Sequence, residues 1–171
     1  LGVAGVSACT AGMSWQWEAV KFRVLWPPAG NSGIPLKQNN ANNHSCVLMV
    51  EMGAVRILLP GDISSGIESA VLQDIEGATF PGITVLVAPH HGSKSSSSEH
   101  FVATLRPKHV VFSAGFNHHF RHPNQSVVDR YTASGAQVWN TAISGALEFR
   151  WNAEQKMSVR ESTRHNRRYW H

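Results

Sequence analysis

Two short runs constrain what this chain can fold into: Ile57-Leu58-Leu59-Pro60-Gly61-Asp62-Ile63 and Val85-Leu86-Val87-Ala88-Pro89-His90-His91-Gly92-Ser93. Each is a block of apolar residues that ends abruptly at polar side chains beside a glycine. Such a block reads as a strand buried on both faces. Its polar terminus then lies at the strand's carboxyl end, where open α/β folds gather their ligands. One end delivers a carboxylate and the other a pair of imidazoles, a combination suited to a divalent metal. The pattern predicts a metal-dependent hydrolase domain of which this chain holds the later part.

Around these runs the chain alternates. Ser14 to Trp26 and Cys46 to Leu59 read as hairpins, the second turning at Met52-Gly53-Ala54. Ala29 to His44 is rich in Asn, Gly, Ser and Pro and reads as a loop. Helices are expected over Ser64 to Gln73, with Ser64 or Ser65 as cap, and over Ser95 to Leu105, with Ser96 and Glu99 as a capping box. His109 to Ser113 reads as a strand, Ser126 to Ser134 as a helix, and Gln137 to Thr141 and Ala146 to Trp151 as final strands. Hairpins followed by β-α-β-α-β predict an α/β fold, half of an αββα sandwich.

The 171 residues, 42% of them hydrophobic, suffice for one core, and no apolar stretch reaches the roughly 20 residues needed to cross a bilayer. Leu1 to Ala11 has neither the basic start nor the long apolar centre of a signal peptide. The chain is therefore read as a segment of something larger. It divides into a domain over 1–152 and a basic tail over 153–171. In that tail Lys156, Arg160, Arg164, Arg167 and Arg168 stand against Glu154 and Glu161, leaving three of the four net positive charges there. With Tyr169 and Trp170 interleaved, the tail could hold nucleic acid or an anionic surface, or be a solvated terminus.

Several residues could carry chemistry. Asp62 follows a glycine that lets the backbone turn sharply; it is either a metal ligand or a cap for the next helix. Of His90 and His91, strand alternation would aim one at the site and leave the other to orient it. Ser93, Ser95, Ser96 and Ser97, with nearby amides, could cradle a phosphate or merely cap a helix. Asn117-His118-His119-Phe120-Arg121-His122-Pro123 concentrates imidazoles with a guanidinium. Arg121 could grip phosphate oxygens and His122 could protonate a leaving alkoxide. Asn43 and Ser45 would brace the Asp62 loop or form a plain turn. Cys9 and Cys46 are the only cysteines, and could form a disulfide or be two unrelated core residues.

In order and spacing, Asn43-His44-Ser45, Leu59-Pro60-Gly61-Asp62-Ile63, Pro89-His90-His91-Gly92-Ser93 and Asn117 to Pro123 resemble the metallo-β-lactamase-fold domain of ComEC-type competence proteins. The resemblance covers about Cys9 to Trp151. It implies an αββα sandwich with two divalent ions, zinc or manganese, and no small-molecule cofactor. It also implies a nuclease-like role: one DNA strand is degraded while the other enters through the membrane channel of the same parent protein. By that likeness Asp62 is the bridging carboxylate, His91 a late histidine ligand with His90 as the fallback, and Ser93, Ser95, Asn117 and Arg121 substrate contacts. The domain would lie outside the cytoplasmic (inner) membrane of a bacterium, in the periplasm, and there Cys9 and Cys46 would be bonded.

One departure matters. The fold's metal sites open with His-x-His-x-Asp-His, which this chain lacks. Alone it is expected to bind metal poorly and hydrolyse little. Two other functions are weighed: a non-catalytic domain guiding DNA to a pore, and a hydrolase of another phosphodiester, such as a choline-phosphate ester on cell-wall polymers.

Overall fold

A computed structural model of the chain describes residues 8–30, 41–75, 80–115 and 122–165. The first half is built of hairpins. β1 (Ser14–Trp17) pairs antiparallel with β2 (Val20–Trp26), β2 with β3 (Val47–Met52), and β3 with β4 (Val55–Leu59). Beyond β4 the chain alternates: α1 (Ser65–Gln73), β5 (Val85–Val87), α2 (Glu99–Leu105), β6 (His109–Phe112), α3 (Gln125–Ala133) and β7 (Gln137–Asn140). β4 to β7 lie parallel in chain order, completing a seven-stranded mixed sheet. α4 (Thr141–Ser144), a separate hairpin of β8 (Leu147–Trp151) and β9 (Met157–Glu161), and α5 (Ser162–His165) follow. The α/β class expected from the alternation is the class adopted.

The register lines up Met49, Leu58, Leu86 and Val110 across four strands, all almost fully buried. Against this row pack Ile67, Val71 and Leu72 of α1, Phe101, Val102 and Leu105 of α2, and Val127 and Tyr131 of α3. Full burial of such side chains contributes roughly 1.5–3 kcal/mol each. The opposite face is apolar as well, through Phe22, Val50, Ile57, Val85, Val87 and Val111. The β8–β9 hairpin lies on this face: Phe149 packs on His109 and Trp139 with ring centroids 6.0 and 6.1 Å apart, and Gln155 in its turn reaches Gly53 between β3 and β4. At the carboxyl end of β4, Leu59 is 38% exposed.

Three expectations need correction. The second helix starts at Glu99, not Ser95, because Ser98 is its cap and accepts from the Phe101 amide. The serines before it are held instead by tertiary hydrogen bonds. Ser64 is the N-cap residue of α1 but does not cap with its side chain; its hydroxyl donates to Asn43 Oδ1 at 2.8 Å. Ala146 to Trp151 does not hold the last strand, because β9 follows it and adds Met157 and Val159 to the hairpin; Asn152 Oδ1 shapes the turn by accepting from the Glu154 and Lys156 amides. The stretch is too short and too charged for its alternation to stand out.

Cys9 and Cys46 form a disulfide that spans 37 residues, with Cα atoms 5.9 Å apart. It ties the segment before β1 to the start of β3. No helix among the described residues is long and apolar enough to cross a membrane.

Candidate functional site

Asp62, His90, His91, Ser113, Ala114, Gly115 and His122 surround a cleft of about 280 Å³ at the carboxyl ends of β4, β5 and β6. The parallel order of these strands is what brings the ends together. Asp62 reaches the cleft from the turn after β4, where Gly61 has φ 61° and a Cβ would stand 2.7 Å from the Ser45 Cβ. Ser45 Oγ accepts the Asp62 amide at 3.0 Å, and Asn43 Oδ1 accepts the Ser64 amide at 3.2 Å. The Trp26 indole donates to the Asn43 carbonyl at 2.7 Å.

The two histidines do not sit on the strand. β5 ends at Val87, and Pro89–Gly92 is a tight turn with His90 and His91 both left-handed, at φ 49° and 56°. Non-glycine residues rarely adopt that conformation, at a cost of about 1–2 kcal/mol each. Tertiary contacts sustain it: the His90 amide donates to the Gly61 carbonyl and the Asn124 amide to the Gly92 carbonyl. Strand alternation therefore does not separate the pair, and both imidazoles line the cleft.

Their hydrogen bonds separate them instead. His91 Nδ1 lies 2.8 Å from the Ser113 carbonyl oxygen, which can only accept, so Nδ1 carries the proton. In the neutral form of the ring the lone pair is then on Nε2, 3.5 Å from Asp62 Oδ1, while in the imidazolium form an N–H faces the carboxylate. In the neutral form two electron-pair donors face each other across that gap, which a cation between them would satisfy. A tetrahedral ion bonded to both, at about 2.0–2.2 Å each, sets its ligands roughly 3.4 Å apart. A backbone carbonyl fixing the far nitrogen is also the usual support of a metal-bound imidazole. His90 is held differently, with Nε2 3.3 Å from Asn42 Nδ2 and Nδ1 3.4 Å from Ser95 Oγ.

Asp62 and His91 thus fit two positions of a metal site. No third His, Cys, Asp or Glu joins them among the described residues. His122 lines the same cleft, its ring centroid 6.0 Å from that of His90. Ser93 and Ser95 do not line the cleft; their hydroxyls are 3.0 Å apart behind His90, which Ser95 Oγ meets. Asn117 and Arg121 lie outside the described residues.

Glu68 escaped the sequence reading. It is 1% exposed and its carboxylate accepts the amides of Ser97 and Ser98. Its signal was available: it shares the buried helix face of Val71, Leu72 and Ile75, where a carboxylate requires a specific partner.

The chain is 35% identical over 135 residues to Competence protein ComA of Neisseria gonorrhoeae, across 79% of its own length and 18% of that protein's. It is 35% identical over 139 residues to Recombination protein 2 of Haemophilus influenzae, 81% of the chain and 16% of that protein. The chain is similar to a segment of proteins named for competence and recombination. ComE operon protein 3 of Bacillus subtilis, 33% identical over 138 residues, matches 80% of the chain and 16% of its own length. The chain thus spans under a fifth of each of these relatives. No family model matches it.

Proposed function

We propose that the chain carries the later part of a divalent-metal phosphodiesterase site that acts on DNA during competence. The observation that carries this reading is His91 Nε2 standing 3.5 Å from Asp62 Oδ1 in the cleft, with Nδ1 tied to the Ser113 carbonyl. Homologues named for competence and recombination supply the biological setting. Bound there, a divalent ion would polarise a phosphoryl oxygen and furnish hydroxide near neutral pH.

The chain's own residues take the remaining roles. Asp62 and His91 hold the ion, or two ions bridged by Asp62 in the complete site. Ser93, Ser95, Asn117 and Arg121 bind the phosphate, and His122 protonates the leaving alkoxide. In this reading the fold is of metallo-β-lactamase type, with the apolar second face of the sheet covered by a further sheet. The domain sits outside the cytoplasmic membrane, attached to a channel that takes up DNA.

A second reading, a domain that guides DNA without cutting it, is favoured because no three metal-capable side chains among the described residues are grouped to hold one ion. The protein as its gene encodes it decides between the two. Its hydrolysis of single-stranded and duplex DNA should require Mn²⁺ or Zn²⁺, and Asp62→Ala should lose on the order of 10³-fold or more. Arg121→Ala should weaken DNA binding and flatten its salt dependence. Hydrolysis that survives Asp62→Ala, or proceeds in chelator, would overturn the phosphodiesterase reading. DNA binding without cleavage would establish the guide.

A further inference from the structure

We infer that Glu68, Arg130 and Tyr131 form a positioning device that sets His90 from the far side of the serine loop. Ser97 occupies the left-handed region at φ 60° and is fully buried. A buried serine in that conformation is costly unless its polar groups are all satisfied. Each one is. The Glu68 carboxylate accepts its amide, Arg130 Nη1 donates to its carbonyl at 2.6 Å, and the Tyr131 hydroxyl donates to its Oγ at 3.0 Å. Burial pushes the Tyr131 phenol far above its usual range, which keeps that proton in place for donation. Glu68 also accepts the Ser98 amide at 2.8 Å. α1 and α3 thereby grip one residue between them.

From Ser97 the grip reaches the cleft through neighbouring residues. Ser96 Oγ donates to the Pro89 carbonyl at 2.9 Å, immediately before His90, and lies 3.0 Å from the Ser93 carbonyl. The Ser95 carbonyl accepts the Ser65 amide at 2.9 Å, and Ser95 Oγ meets His90 Nδ1 at 3.4 Å. The buried Glu68 and Tyr131 and the half-buried Arg130, on two helices, thus define where the Ser93 and Ser95 hydroxyls and the His90 ring stand. The device has catalytic meaning only if the phosphodiesterase reading holds, but its existence does not depend on that reading. Glu68, Arg130 and Tyr131 are positioning residues, since none of them lines the cleft.

Ring ¹⁵N–¹H spectra of the histidines test this without any substrate, with the His90 signal assigned from His90→Gln. Tyr131→Phe removes a single hydroxyl, and Ser97→Gly keeps the left-handed backbone while removing the other end of the same bond. In both variants the His90 nitrogens should shift, while the ring signals of His109, on the far face of the sheet, stay put. Applying both changes should move His90 no further than one alone, because the two act through one hydrogen bond. A folded Tyr131→Phe protein with unmoved His90 signals would overturn the device, and Ser97→Gly reads the same outcome should Tyr131→Phe not fold. A purely structural role would lower the melting temperature and leave His90 unshifted. DNA hydrolysis measured in parallel keeps the two claims apart: shifted His90 signals in a protein that never cuts DNA would sustain the device and remove the function.

Discussion

Asp62 and His122 line one cleft, yet their surroundings assign them different work. Asp62 stands 3.5 Å from His91 Nε2, and in the proposed site the two share one cation, so His91→Ala should lower bound metal and hydrolysis together. His122 lines the same cleft with its ring centroid 6.0 Å from that of His90, and in the proposed site it serves the substrate. His122→Ala should leave metal content unchanged and slow turnover by about 100-fold or more, the range for losing a general acid. Elemental analysis beside DNA hydrolysis rates checks both, and metal loss in His122→Ala would reverse the roles. Gly92 marks the limit of the turn's tolerance: at φ 79°, a Cβ would stand 2.5 Å from the Phe112 ring and 2.8 Å from Pro123. Gly92→Ala should cost about 2 kcal/mol or more in chemical denaturation.

At the scale of elements, the β8–β9 hairpin rests on His109, which accepts the Trp139 indole N–H at Nδ1 over 3.3 Å. Burial, and then the charge of Lys108, hold the His109 pKa below its ordinary 6.5. The unfolded chain therefore binds this proton more readily than the folded one. Stability from this site is complete above about pH 6.5 and is lost as the pH falls through the folded-state pKa. Unfolding midpoints measured from pH 7.5 to 5 should decline, and His109→Gln should flatten that decline; an equal slope in the variant would exclude His109 as its source. Strand ends were legible in the sequence because a block such as Val85-Leu86-Val87 can only be a buried strand, so its polar terminus had to mark a crevice. The left-handed turn at His90 and His91 was not legible, since contacts from Gly61 and Asn124, distant in the chain, sustain it. Nor was the late start of α2, where four serines offered equivalent caps and the buried Glu68 selected among them.

For the whole molecule, the disulfide bears on how the fold is held. Closing 37 residues between Cys9 and Cys46 should stabilise the fold by about 3–4 kcal/mol, seen as a lower denaturation midpoint on reduction. Two titratable thiols in folded protein exported to an oxidising compartment would contradict the bond. Cys46 directly follows Ser45, which holds the Asp62 amide, so reduction should also loosen the carboxylate. In the proposed site Asp62 and His91 share one divalent ion, and paramagnetic broadening by Mn²⁺ reads this directly, even where affinity is weak. As Mn²⁺ is added, the His91 ring signals should broaden before those of His109 and His100, and Asp62→Asn should demand about tenfold more ion for the same effect. Uniform broadening of all histidines, or a His91 response indifferent to Asp62→Asn, would contradict the account.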